Sequence, residues 1–111
     1  MKRDYKLYLK DIRESIEYIQ KYMQNISEEA FKRNIQLQDA VVRRFEIIGE
    51  ASRNIPRSLK EKNPHVPWAR MEQFGDLMTH SYFEISTNKV WIAILEELPR
   101  AKEAMKNIAL V

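Results

Sequence analysis

The chain has no cysteine, which removes disulfides, thiolate metal sites and cysteine nucleophiles together. It has two glycines and four prolines in 111 residues, too few for the tight turns that an all-β fold demands. No run of about 20 apolar residues occurs, so no membrane-spanning helix is expected. The opening Met1-Lys2-Arg3-Asp4-Tyr5 has no apolar leader core. Blocks of one charge are missing as well, because 19 basic and 16 acidic residues are interspersed to a net +3. That balance suits RNA or another polyanion, yet it is ordinary in a protein that meets neither. What remains, 44% hydrophobic and 32% charged, is the composition of one globular domain. A soluble cytoplasmic protein with no membrane partner is expected, in keeping with the missing cysteines.

Apolar residues recur at helical spacing. Tyr5, Leu9, Ile12, Ile16, Ile19 and Met23 form one stripe, which predicts a helix over 4–24. Ser27 is placed to cap a short continuation that begins Glu28-Glu29. Leu37, Val41, Phe45, Ile48, Ala51 and Ile55 predict a second long helix over 35–54, widened by Ala40 and Ile47. Gly49 inside it costs about 1 kcal/mol relative to alanine, and a glycine kept there lets another backbone approach closely. Three prolines between Pro56 and Pro67 mark a break, with a turn of helix at 58–62. Pro67 opens a third helix that carries Trp68, Met71, Phe74, Leu77 and Met78 and ends near Tyr82 or Phe83. Ser86 or Thr87 caps a last helix burying Val90, Trp91, Ile94, Leu95, Leu98, Ala101, Met105 and Ile108, which Pro99 kinks or splits. The pattern is that of an all-α helical bundle. Its wide apolar stripes leave room for a second copy to close it.

Chemistry concentrates between Trp68 and Phe83. Asp76 lies four residues before His80, so on a helix both share one face. A carboxylate there fixes the imidazole tautomer and suits a histidine that moves protons; the same spacing also serves as a plain helix-surface contact. The other histidine, His65, sits in the proline-rich connection and reads as a solvent-facing loop residue. There is no His-Glu-x-x-His, no acidic metal loop and no glycine-rich phosphate loop. No metal and no cofactor are expected. Arg43, Arg44, Arg53 and Arg57 form either a basic surface or an ordinary solvated helix face.

Several segments in order resemble one family. They are Gln38-Asp39-Ala40-Val41-Val42-Arg43-Arg44, Glu46-Ile47-Ile48-Gly49-Glu50-Ala51, Pro64 with Val66-Pro67-Trp68, His80-Ser81-Tyr82-Phe83, Val90-Trp91 and Leu98-Pro99. Together they resemble the HepT-like members of the HEPN superfamily, toxins paired with a minimal nucleotidyltransferase. The resemblance implies a single domain over 1–111, an up-and-down four-helix bundle with short extra helices, working as a homodimer. It implies the toxin of a type VII-like toxin–antitoxin system, a metal-independent endoribonuclease acting on an RNA substrate. Its partner would be a cognate nucleotidyltransferase antitoxin. The family hallmark is Arg-x-x-x-x-His-x-Tyr. His80 and Tyr82 fall on it, and Asp76 follows the arginine position.

At the arginine position itself stands Gly75. In the resemblance that arginine holds the scissile phosphate with a planar, bidentate fork that no other residue reproduces. The histidine acts as acid or base while the ribose 2′-hydroxyl attacks phosphorus, a nucleophile that DNA lacks. Losing such a stabiliser costs about 10²–10³ in rate, so this chain is expected to be impaired or inactive as an RNase. Gly75 is then either a natural loss or a detoxifying substitution. Tyr82 either packs its ring at the helix end or, as the resemblance implies, accepts AMP from the partner, placing phosphates that repel RNA. The alternative to the enzyme is a non-catalytic helical adaptor for the nucleotidyltransferase. A nucleotide-binding helical module is a further reading.

Overall fold

A computed structural model describes residues 3–83 and 87–110, without the side chains of residues 79–83. Every regular element among them is helical. They are α1 (Tyr5–Tyr22), α2 (Glu28–Lys32), α3 (Ile35–Arg53), α4 (Arg57–Lys62), α5 (Trp68–Glu72), α6 (Phe74–Phe83) and α7 (Thr87–Ile92). A π-helical turn (Ala93–Glu97) and α8 (Leu98–Met105) follow.

The first three helices start where short polar side chains can satisfy orphan amides. Asp4 Oδ1 accepts from the Lys6 N–H at 2.9 Å, Ser27 Oγ from Ala30 at 3.1 Å and Asn34 Oδ1 from Leu37 at 3.0 Å. Asn25, at φ 61°, turns the chain between α1 and α2. Leu9, Ile12, Ile16 and Ile19 of α1 are buried with Val41, Phe45 and Ile48 of α3. The two helices are antiparallel. The Arg44 guanidinium lies 4.2 Å over the Tyr18 ring, while Tyr8 and Asp11 share a groove with Ile47, Glu50 and Asn54 at the other end. Helix α8 runs along α1, with Arg13 Nη2 donating to the Met105 carbonyl at 3.1 Å and Lys102 to Gln20 at 2.9 Å.

Two sequence expectations need correction. The helix expected from Pro67 onward is not continuous. Pro67 precedes the first helical residue, α5 ends at Glu72, and Gln73 caps it with its N–H on the Arg70 carbonyl before α6 begins. The cause is the close approach of α3. A Cβ on Gly49 would stand 3.0 Å from the Gly75 nitrogen and 3.4 Å from the carbonyl oxygens of Met71 and Glu72. The α5–α6 joint rests directly on the bare backbone of α3, the close approach that Gly49 predicts.

The second correction is Leu95, in a last helical segment that is divided just before Pro99. Proline has no N–H and its ring crowds the preceding turn, and a wider π turn over 93–97 absorbs the mismatch. Within that turn the helical phase shifts. Ala93, Ile94 and Leu98 point inward, whereas Leu95, expected in the core, is 56% exposed beside the exposed Ile92.

Polar groups support the connections. Asn63 is buried; its amide donates to the carbonyls of Leu59 and Ala109, its Oδ1 accepts from the Ala109 N–H, and its carbonyl accepts from Trp68 Nε1. One asparagine thus ties the proline-rich connection to the C-terminal segment. Gln38 does the same for the α2–α3 junction, donating to the carbonyls of Phe31 and Lys32. Among the described residues, no helix is long and apolar enough to cross a membrane.

Candidate active site

Helix α6 carries the candidate residues, and its attachment to α3 places them. Phe74 is buried edge-on against Phe45, with ring centroids 5.3 Å apart and planes at 88°. Met78, one turn on, is fully buried as well. These two side chains and the Gly49–Gly75 backbone contact hold the first turns of α6 against α3.

Asp76 lies opposite that buried face and is 76% exposed. Its Oδ2 accepts a hydrogen bond from Arg53 Nη2 of α3 at 3.3 Å. The carboxylate expected to orient His80 therefore has a cationic partner from another helix. Helix α6 continues through positions 80 and 82, but the side chains of His80 and Tyr82 lie outside the described residues. Ser86 also lies outside them.

Gly75 is half-buried on the α3 side. Among the described residues, a Cβ built there meets only the Cα of Glu46, at 3.9 Å, which is ordinary contact. The two glycines of the chain are opposite in character: one is forced by a neighbouring backbone, and the other leaves room for a side chain.

Other charges near the joint pair across elements. Lys60 of α4 meets Glu72 of α5 at 2.8 Å, and Arg70 of α5 meets Glu97 of the π turn. The hydrogen bond to Glu97 raises the Arg70 pKa above its ordinary value. Arg57 pairs along its own helix with Glu61 at 3.1 Å. His65 is exposed, its Nε2 3.2 Å from the Ala104 carbonyl oxygen, as a loop histidine should be. Among the described residues, no three histidine, aspartate or glutamate side chains gather as a metal site would.

Sequence reasoning missed Arg53 as a partner of the site, having grouped it with a solvated basic face. The available signal was its spacing of four from Gly49, which puts it one turn along the face of α3 that meets α6.

The class defined by this arrangement is an all-helical domain whose polar chemistry stands on one helix pressed onto another through glycine. The chain belongs to the ribonuclease HepT-like family, whose model matches residues 12–108, from the middle of α1 to beyond α8. It is 41% identical over 102 residues to a protein of Thermococcus cleftensis named as a probable ribonuclease HepT, covering 92% of this chain and 93% of that one. It is 39% identical over 108 residues to a Methanocaldococcus jannaschii protein named as a γ-glutamylcyclotransferase and candidate RNase. That match covers 97% of this chain but 49% of the relative, so the chain spans about half its length. A candidate RNase of Caldanaerobacter subterraneus is 36% identical over 101 residues, covering 91% of this chain and 90% of the relative. No solved structure matches.

Proposed function

We propose that this chain is a metal-independent endoribonuclease of the HepT-like type, the toxin of a type VII-like toxin–antitoxin pair. The observation that carries this reading is the match of residues 12–108 to a ribonuclease family, a span that includes the whole of α6. His80 takes and returns the proton as the ribose 2′-hydroxyl attacks the adjacent phosphorus. On a regular helix Asp76 lies one turn before it and orients the imidazole. Two copies of the chain, each an up-and-down bundle, face their α6 helices into one cleft in the cytoplasm. Tyr82 receives AMP from a nucleotidyltransferase antitoxin, and the added phosphates repel the RNA backbone.

Gly75 in the arginine position sets the rate. Without the motif's own fork of donors on α6, cleavage runs about 10²–10³-fold below an intact site. The open space at Gly75 makes the repair testable. The Gly75→Arg chain and the unaltered chain are incubated with unpaired RNA and a chelator. The repaired chain is expected to cleave about 10²–10³-fold faster, and His80→Ala to abolish cleavage in both. A repaired chain that cuts nothing and leaves growth unharmed overturns the enzymatic reading.

Gly75 also favours a second reading, a helical adaptor that binds the nucleotidyltransferase without catalysis. A stable complex with that partner, together with an inert Gly75→Arg chain, selects it.

A further inference from the structure

The geometry points to Arg53 as the guanidinium that holds the RNA phosphate in this chain, reaching the site from α3 where α6 itself carries glycine. This assignment rests on the ribonuclease reading and extends it to a residue outside the motif.

The placement of Arg53 is built into the backbone. Gly49 presses α3 against the Gly75 nitrogen, and Arg53 follows Gly49 by one helical turn. Its Nη2 consequently arrives at Asp76, the residue after Gly75, at 3.3 Å. The backbone contact brings the two helices together, and the Arg53 side chain spans the remaining distance to the first turn of α6.

The pair with Asp76 does not lock the guanidinium away. Arg53 is 47% exposed and Asp76 76% exposed, and exposed ion pairs of this kind are weak. A phosphate diester offers two oxygens to the planar fork, a stronger match than one carboxylate oxygen in water. Lys60 and Arg70 pair with Glu72 and Glu97, and the more exposed Arg57 pairs along its own helix with Glu61, so these three cations are turned to partners off α6. Arg53 is the guanidinium that the described residues direct onto α6.

The other side of Arg53 supplies room for RNA. It lines a groove of about 630 Å³ with Arg3, Asp4, Tyr5, Tyr8, Asn54 and Pro56, a size typical of small-ligand sites. Tyrosine rings are stacking platforms for unpaired bases. Of the acids at this end, Asp4 caps α1 and Asp11, in the adjoining groove, pairs with Arg3 at 2.7 Å, while the exposed Glu50 also lines that adjoining groove. A strand with one phosphate on Arg53 lays its neighbouring nucleotide in this groove.

The test uses the full chain in excess over unpaired RNA with chelator, with the His80→Ala chain as the blank for cleavage. It also uses a 2′-O-methyl RNA, which binds without being cut, titrated across salt concentrations. Arg53→Ala is expected to lower residual cleavage about 10²–10³-fold and to flatten the salt slope by about 0.7, one phosphate contact to a single strand. Arg53→Lys keeps the slope but recovers less than about a tenth of the cleavage, because it lacks the fork. Gly75→Arg rescues the Arg53→Ala chain, and Arg57→Ala changes nothing. If Arg53→Ala cleaves like the unaltered chain, or the unaltered chain is silent where Gly75→Arg cuts, the assignment to Arg53 is wrong and the ribonuclease reading stands. If neither the unaltered nor the Gly75→Arg chain cleaves, the ribonuclease reading fails and takes this assignment with it.

Discussion

The α1–α3 pair and the α3–α6 crossing are both helix contacts, but they are made of different things. Between α1 and α3, branched and aromatic side chains fill the space, and Ile12, Ile19, Val41 and Ile48 are fully buried. At the α3–α6 crossing, Gly49 brings backbone onto backbone at the Gly75 nitrogen, and Phe45 and Phe74 pack beside the contact. The first contact stabilises by apolar area. The second positions, because backbones in contact leave little slack for the polar groups alongside. Arg53 and Asp76 stand beside the second.

Substitutions that treat the two contacts alike should give unlike results. The largest loss is expected for Ile12→Ala, which empties a sealed volume between α1 and α3 and costs about 2–5 kcal/mol in chemical denaturation. Helix content and RNA binding should survive in the fraction that remains folded. Gly49→Val is next, at about 1–3 kcal/mol from overpacking. Unlike Ile12→Ala, it should also separate Arg53 from Asp76 and weaken RNA binding out of proportion to stability. Equal losses of binding per unit of stability in both variants would dissolve the distinction between a packed contact and a positioning one.

Asn34→Ala sharpens the comparison from the regular side. It removes the side-chain bond to the Leu37 amide at the start of α3 and should cost about 1 kcal/mol, read as a lower denaturant midpoint with unchanged slope. The smallest effect has the opposite sign. Gly75→Ala places a Cβ in ordinary contact with α3 and should stabilise by about 0.5–1 kcal/mol through helix propensity. A destabilised Gly75→Ala chain would mean that both glycines are sterically required.

The legible and illegible parts of the molecule follow the same division. The bounds of α1 and α3 could be read within two residues, since cap residues and 3.6-residue periodicity are local properties. Ser27 as a cap and His65 as an exposed loop histidine are of the same kind. The break at Gln73 was not legible. Nothing in Met71-Glu72-Gln73-Phe74 forbids a helix, and the interruption comes from α3 pressing on the joint. Leu95 was misplaced because it lies inside the π turn, where a fixed period of 3.6 fails, whereas Leu98, Ala101 and Met105 beyond it are buried as the stripe expects. The ion pair of Asp76 with Arg53, 23 positions distant in sequence, was not legible either.

By itself the sequence determined an all-helical chain with its apolar stripes, its caps and a glycine that needs a close neighbour, because these depend on residues a few positions apart. Only the tertiary structure decided which backbone lies on Gly49, that Gly75 is open to a side chain, and that a guanidinium from α3 arrives beside it. Those outcomes depend on distances between helices far apart in the chain, and such distances are set by how the whole core fills space.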